Sequence, residues 1–75
     1  MKNKNARWWL KGLRIGKGIS QKEMADMLDI TQVTYSYYET GKQNPPVKRA
    51  KQIAEILGFD WIQFYPMSEE DKKVI

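Results

Sequence analysis

Residues 20–41, SQKEMADMLDITQVTYSYYETG, constrain this chain more than any other stretch. They read as two short helices joined by a tight turn. Ser20 is a good N-cap and Glu23 stands three residues later. The Ser hydroxyl can therefore accept from the Glu23 N–H while the carboxylate reaches back to Ser20, which is a capping box. Ile19 before the cap and Met24 after it close a hydrophobic staple, and Met24, Ala25 and Leu28 share one face. This helix should end near Asp29, where a sharp turn needs positive φ, which Asp tolerates less well than Gly.

The second helix of the pair is in conflict with its own propensity. TQVTYSYYET is rich in β-branched and aromatic residues, and Val33, Tyr35 and Tyr37 alternate as in a strand. Against that, Thr31 is a cap residue, Ile30 and Tyr35 stand at staple spacing around it, and Gly41 suits the position just past a helix end. These signals favour a helix over 32–40. Helical spacing then places Tyr35 and Tyr38 inward, and Gln32, Val33, Ser36 and Tyr37 outward.

The run ISQKEMADMLDITQVTYSYYETGKQNP resembles the helix-turn-helix of the Cro and repressor proteins of lambdoid phages, the Xre-type class of bacterial and phage regulators. The matching pieces are Ser20-Gln21 opening the first helix, Ala25 and Leu28 in its core, Thr31-Gln32 opening the second, and Glu39-x-Gly41-Lys42 closing it. The resemblance spans roughly residues 10–65, and the closing GFDWIQFY is similar to phage and mobile-element regulators of Gram-positive bacteria. It implies an all-α, compact five-helix bundle of the lambda-repressor-like type that reads duplex DNA. It further implies that Arg14 pairs with Glu39, tying the first helix to the end of the third, and that the last helix closes the core and helps form a dimer.

Composition agrees by exclusion. With 75 residues there is room for one domain with a small core. The absence of Cys and His removes disulfides, cysteine-based zinc sites, thiol nucleophiles and histidine acid/base chemistry. The nine carboxylates are scattered without paired or ligand-like spacing, so no enzyme, cofactor or small-molecule ligand is expected. No apolar run is long enough for a signal peptide or membrane span, which implies a cytoplasmic protein. Charge is polarised: residues 1–51 carry 11 Lys/Arg against 4 Asp/Glu, whereas 52–75 carry 2 against 5. A basic body facing phosphates and a tail facing away fits that division, although a solvated basic face is also common on small proteins.

Residues 1–6 read as a loose arm, 7–66 as the DNA-binding domain and 67–75 as a tail. A first helix over 7–17 has Trp9, Leu10 and Leu13 as its stripe, is weakened by Gly12, and ends at Gly16-Lys17-Gly18. Trp8 and Trp9 cannot both face the core. A fourth helix over 47–57 follows from Val47, Ala50, Ile53, Ala54 and Leu57, with Gly58 as its stop. Lys48, Arg49 and Lys51 crowd its opening turns against the macrodipole, which fits phosphate binding there or plain solvation. Asp60 can cap a last short helix over 61–65 that Pro66 ends. Val74-Ile75 adds to a partner or forms a disordered end.

For base reading, Gln32 can bond bidentately to adenine N6 and N7, and by resemblance it is the leading candidate. Val33 is placed to contact a thymine methyl, and Ser36 and Tyr37 lie one turn on. Phosphate contacts are expected from Gln21 at the start of the second helix, Lys42, Gln43 and Asn44 in the loop, Lys11, and Thr34 and Thr40. One such domain buries little DNA surface, so two copies on half-sites about one helical turn apart are expected. Trp8 and the C-terminal aromatic residues are the candidate interface, without the second domain that larger repressors use. Competing readings are an antitoxin or other protein-interaction module on the same fold, which Val33 and Tyr37 keep open, and a helical bundle that only resembles a DNA binder.

Overall fold

The turn after the second helix sets the architecture. In the computed structural model, which describes residues 6–65, four α-helices are joined in order: α1 Trp8–Gly16, α2 Gln21–Leu28, α3 Gln32–Thr40 and α4 Val47–Leu57. A 3₁₀ turn, Trp61–Phe64, follows. The described residues are all helical or irregular, without strands. The helix expected over 7–17 starts one residue later, and Arg7 occupies its N-cap position without a side-chain cap.

Each expected cap forms. Ser20 Oγ accepts from the Glu23 N–H at 3.0 Å and Glu23 Oε1 accepts from the Ser20 N–H at 2.9 Å, closing the capping box that starts α2. Asp29 then adopts φ 58°, ψ 45°, and the Ile30 N–H donates back to the Ala25 carbonyl at 3.0 Å. Asp29 is the one non-glycine residue with positive φ among those described. Thr31 Oγ1 accepts from the Thr34 N–H at 3.1 Å, and Gly41 closes α3 at φ 80°. Three residues thus join α2 to α3, with the chain turning at Asp29.

The core lies where α2 packs on α3, α1 on α3, and α4 on α2 and the 3₁₀ turn. Leu10, Met24, Ala25, Leu28, Tyr35, Tyr38, Ala50, Ile53, Leu57 and Phe64 are buried together. Burial of Tyr35 and Tyr38, one helical turn apart, overrides the strand-like propensity of α3, and Val33 is left 60 % exposed. Of the adjacent tryptophans in α1, Trp9 packs edge-on against Phe59 and Phe64 at 5.0 and 5.6 Å, while Trp8 remains 61 % exposed.

The fifth helix of the expected bundle is a 3₁₀ turn. Asp60 Oδ1 caps the Ile62 N–H at 3.1 Å, and the Tyr65 N–H donates to the Ile62 carbonyl at 2.9 Å. Tyr65 has φ −125°, ψ 71°, away from the helical region, as steric conflict with a following Pro66 requires. The expectations for the arm, the tail and Val74-Ile75 lie outside the described residues, apart from Ala6.

Asp29 carries a left-handed conformation that glycine adopts without Cβ strain. Asp29→Gly should raise the unfolding free energy by about 0.5–1 kcal/mol in chemical denaturation, and Asp29→Val should lower it by about 1–2 kcal/mol.

Candidate nucleic-acid interface

The site is built on α3, a nine-residue helix whose position is fixed at both ends. Its first turn presents Gln32 and Val33, both exposed, while Ser36 and Tyr37 one turn on are half-buried. Tyr37 is less outward than helical spacing alone implied, because the Lys42 ammonium stands over its ring, 4.9 Å from the centroid. Tyr37 thereby supports a cation beside α3.

At the far end, Glu39 is buried and bonded from two directions. Arg14 Nε donates to Glu39 Oε2 at 2.5 Å and Arg14 Nη2 to Oε1 at 3.2 Å, the fork-to-carboxylate pairing that joins α1 to α3. Gln21 Nε2 also donates to Glu39 Oε1, at 3.0 Å. Burial pushes the Glu39 carboxyl up, but the hydrogen bonds from Arg14 and Gln21 outweigh it, so its pKa is lowered. The Glu39 hydrogen bond holds the Arg14 guanidinium more firmly charged. Burial pushes the neighbouring Tyr35 phenol up, with Glu39 adding to the effect.

The expected phosphate donors fall into three places. Thr34 lies in the first turn of α3, where its hydroxyl accepts from Thr31 at 2.9 Å and keeps its own hydrogen for donation. Lys42, Gln43 and Asn44 are exposed on the loop after α3. Gln21, Thr40 and Lys11 line one cleft with Trp8. That position sets Trp8 beside the expected phosphate donors. Gln21 has one amide hydrogen committed to Glu39, leaving the second and its backbone N–H.

The basic opening of α4 divides. Arg49 Nη1 donates to the Tyr38 hydroxyl at 3.0 Å and Lys51 stands over the Trp61 ring at 5.1 Å, so both have internal partners. Lys48 is exposed.

Arg7 is the residue the sequence reading missed. Its side chain is buried, with Nη1 donating to the carbonyls of Tyr38 at 2.6 Å and Gln43 at 3.3 Å. Nη2 donates to Asn44 Oδ1 and, at 3.4 Å, to the Phe64 carbonyl. The Arg7 backbone N–H adds a bond to the Glu39 carbonyl at 2.7 Å, and the guanidinium lies 5.2 Å from the Phe64 ring centroid. One side chain thus gathers the end of α3, the following loop and the 3₁₀ turn. It also orients Asn44, whose amide hydrogens stay available as donors. Burial pushes the Arg7 pKa down.

A family model described as helix-turn-helix matches residues 10–64, the span from the third residue of α1 to the end of the 3₁₀ turn. The chain belongs to the Xre-type helix-turn-helix family. It is 42 % identical over 59 residues to the uncharacterized HTH-type transcriptional regulator YqaF of Bacillus subtilis (strain 168), covering 79 % of this chain and 78 % of that protein. It is 47 % identical over 49 residues to the SPbeta prophage-derived uncharacterized HTH-type transcriptional regulator YonR of the same strain, covering 65 % and 45 %. A third similar protein there, YqaE, is 35 % identical over 65 residues, covering 87 % and 55 %. The matches therefore span about half the length of YonR and YqaE. No solved structure matches significantly.

Removing the Glu39 charge strands Arg14 in the interior. Glu39→Gln should lower the melting temperature well beyond the effect of Glu55→Gln, with a cost of about 3–5 kcal/mol. The depressed Glu39 pKa stabilises the fold above the unfolded value near 4.5, and that contribution is lost as pH falls through the folded value. Thermal melts from pH 6 down to pH 3 should accordingly show a shallower decline for Glu39→Gln than for the wild type.

Proposed function

We propose that this chain is a sequence-specific, double-stranded DNA-binding transcriptional regulator, Cro-like or repressor-like, that enters the major groove with α3. The observation that carries the reading is the first turn of α3. Gln32 and Val33 project from a capped helix start that has no internal use for them, in a chain of helix-turn-helix type. An α-helix with its side chains is about 10–12 Å across, a match to a major groove about 12 Å wide. Gln32 supplies an amide that pairs with adenine N6 and N7, and Val33 an apolar surface for a thymine methyl.

The mechanism divides positioning from reading. Lys42, propped on Tyr37, and Asn44, oriented by Arg7, face backbone phosphates after α3. Gln21 and Lys11 do so where the start of α2 meets α1 and the end of α3, with Thr40 beside them, and Thr34 does so beside the base readers. Ser36 and Tyr37 lie further into the groove. Two copies on an inverted repeat would supply the surface that one module of this size lacks. The likeness to a prophage-derived regulator supports a phage or mobile-element origin. No helix among the described residues is long and apolar enough to cross a membrane, which is compatible with work in the bacterial cytoplasm or nucleoid.

Anisotropy titrations on a selected duplex over a range of salt concentrations test the division. Lys42→Ala should weaken binding to all sequences alike and reduce the slope of log affinity against log salt by about one. Gln32→Ala should leave the slope unchanged and relax one base-pair position by roughly 1–3 kcal/mol. Equal effects of the two variants on every sequence would contradict the assignment.

A further inference from the structure

The cleft lined by Trp8, Lys11, Gln21, Glu39 and Thr40 encloses about 160 Å³ where the starts of α1 and α2 meet the end of α3. We propose that it seats one phosphate of the DNA backbone, with the adjoining deoxyribose packed against the Trp8 indole. Trp8 would then be a DNA-contacting residue. This inference rests on the DNA-reading function proposed above and assigns a residue to it that the helix-turn-helix pattern does not contain.

Three observations point to that occupant. Trp8 is 61 % exposed although Trp9 beside it packs with Phe59 and Phe64, so its large apolar face serves no core. The Lys11 ammonium stands 5.7 Å from the Trp8 ring centroid, which places a cation at the same wall. Gln21 adds its second amide hydrogen, and the Gln21 and Lys22 N–H groups opening α2 lack helical partners, while the Thr40 hydroxyl donates to the Tyr37 carbonyl at 3.4 Å and only borders the cleft. An apolar ring beside a cation and neutral donors suits a sugar next to a phosphate. Glu39 is the one anion in the lining. Its oxygens are already engaged by Arg14 and Gln21, and its charge is balanced by the buried guanidinium.

The test measures binding of wild type, Trp8→Ala and Trp8→Tyr to a fluorescently labelled selected duplex and to a random-sequence duplex, with melting temperature and sedimentation mass for each variant. Trp8→Ala should weaken binding about three- to tenfold on both duplexes, at unchanged melting temperature and mass, and Trp8→Tyr should retain most of the affinity. Unchanged affinity of Trp8→Ala on duplexes that the wild type binds overturns the proposal. A loss that tracks a fall in sedimentation mass also overturns it, because Trp8 would then contact a second copy. Failure of the wild type to bind any duplex removes the DNA-reading function itself, a result distinct from either.

Discussion

Two arginines hold the end of α3, and the aim of that helix depends on them. Arg14 grips the Glu39 side chain, and Arg7 grips the backbone at Tyr38 and Glu39 together with the loop that follows. A nine-residue helix made largely of β-branched and aromatic residues would be marginal alone. Caps at Thr31 and Gly41 define where it starts and stops, but they do not orient it. Burial of Tyr35 and Tyr38 turns its inner face to the core, and the arginine contacts fix the far end. Gln32 and Val33 are left pointing away with no structural duty.

The same contacts connect the fold to its chemistry. Glu39 accepts from Gln21 as well as Arg14, so the ion pair also restrains an expected phosphate donor at the start of α2. Arg7 bonds Asn44 and the Gln43 carbonyl, so the loop that presents Lys42 is tied to the same helix end. Buried ion pairs contribute little net stability, because desolvation offsets much of the attraction. Their value here lies in geometry: a displaced α3 would strand two guanidinium groups and a carboxylate in the interior. The lysines among the described residues stay on the surface, where their field extends about a Debye length toward an incoming polyanion.

Legibility in the sequence followed the range of the interaction. Caps and stops are local, so the boundaries of α3 and α4 and the capping box of α2 could be read from Ser20, Thr31, Gly41 and Gly58. The inward pair Tyr35 and Tyr38 followed from helical period despite a contrary propensity. Arg14–Glu39 came through family resemblance, since two charges 25 positions apart carry no spacing signal of their own. Arg7 was invisible because its partners are mainly backbone carbonyls as far away as Phe64, and carbonyl groups leave no trace in residue type. The last element was read as a helix because Asp60 and the apolar residues after it are compatible with one. Instead it is a four-residue 3₁₀ turn, ended at Tyr65 by the non-helical conformation that a following Pro66 favours. Tyr37 was read as outward by period, and its support of Lys42 depends on a loop conformation that period does not describe.

The central claim is that α3 reads base sequence, as opposed to merely lying on a basic surface. The most direct measurement selects binding sites from a randomised duplex pool at moderate salt and sequences what is retained. The account predicts an inverted repeat with half-site centres about one helical turn, ~10–10.5 base pairs, apart. Recovery of no sequence above background would contradict it and leave the basic face as a non-specific or protein-binding surface.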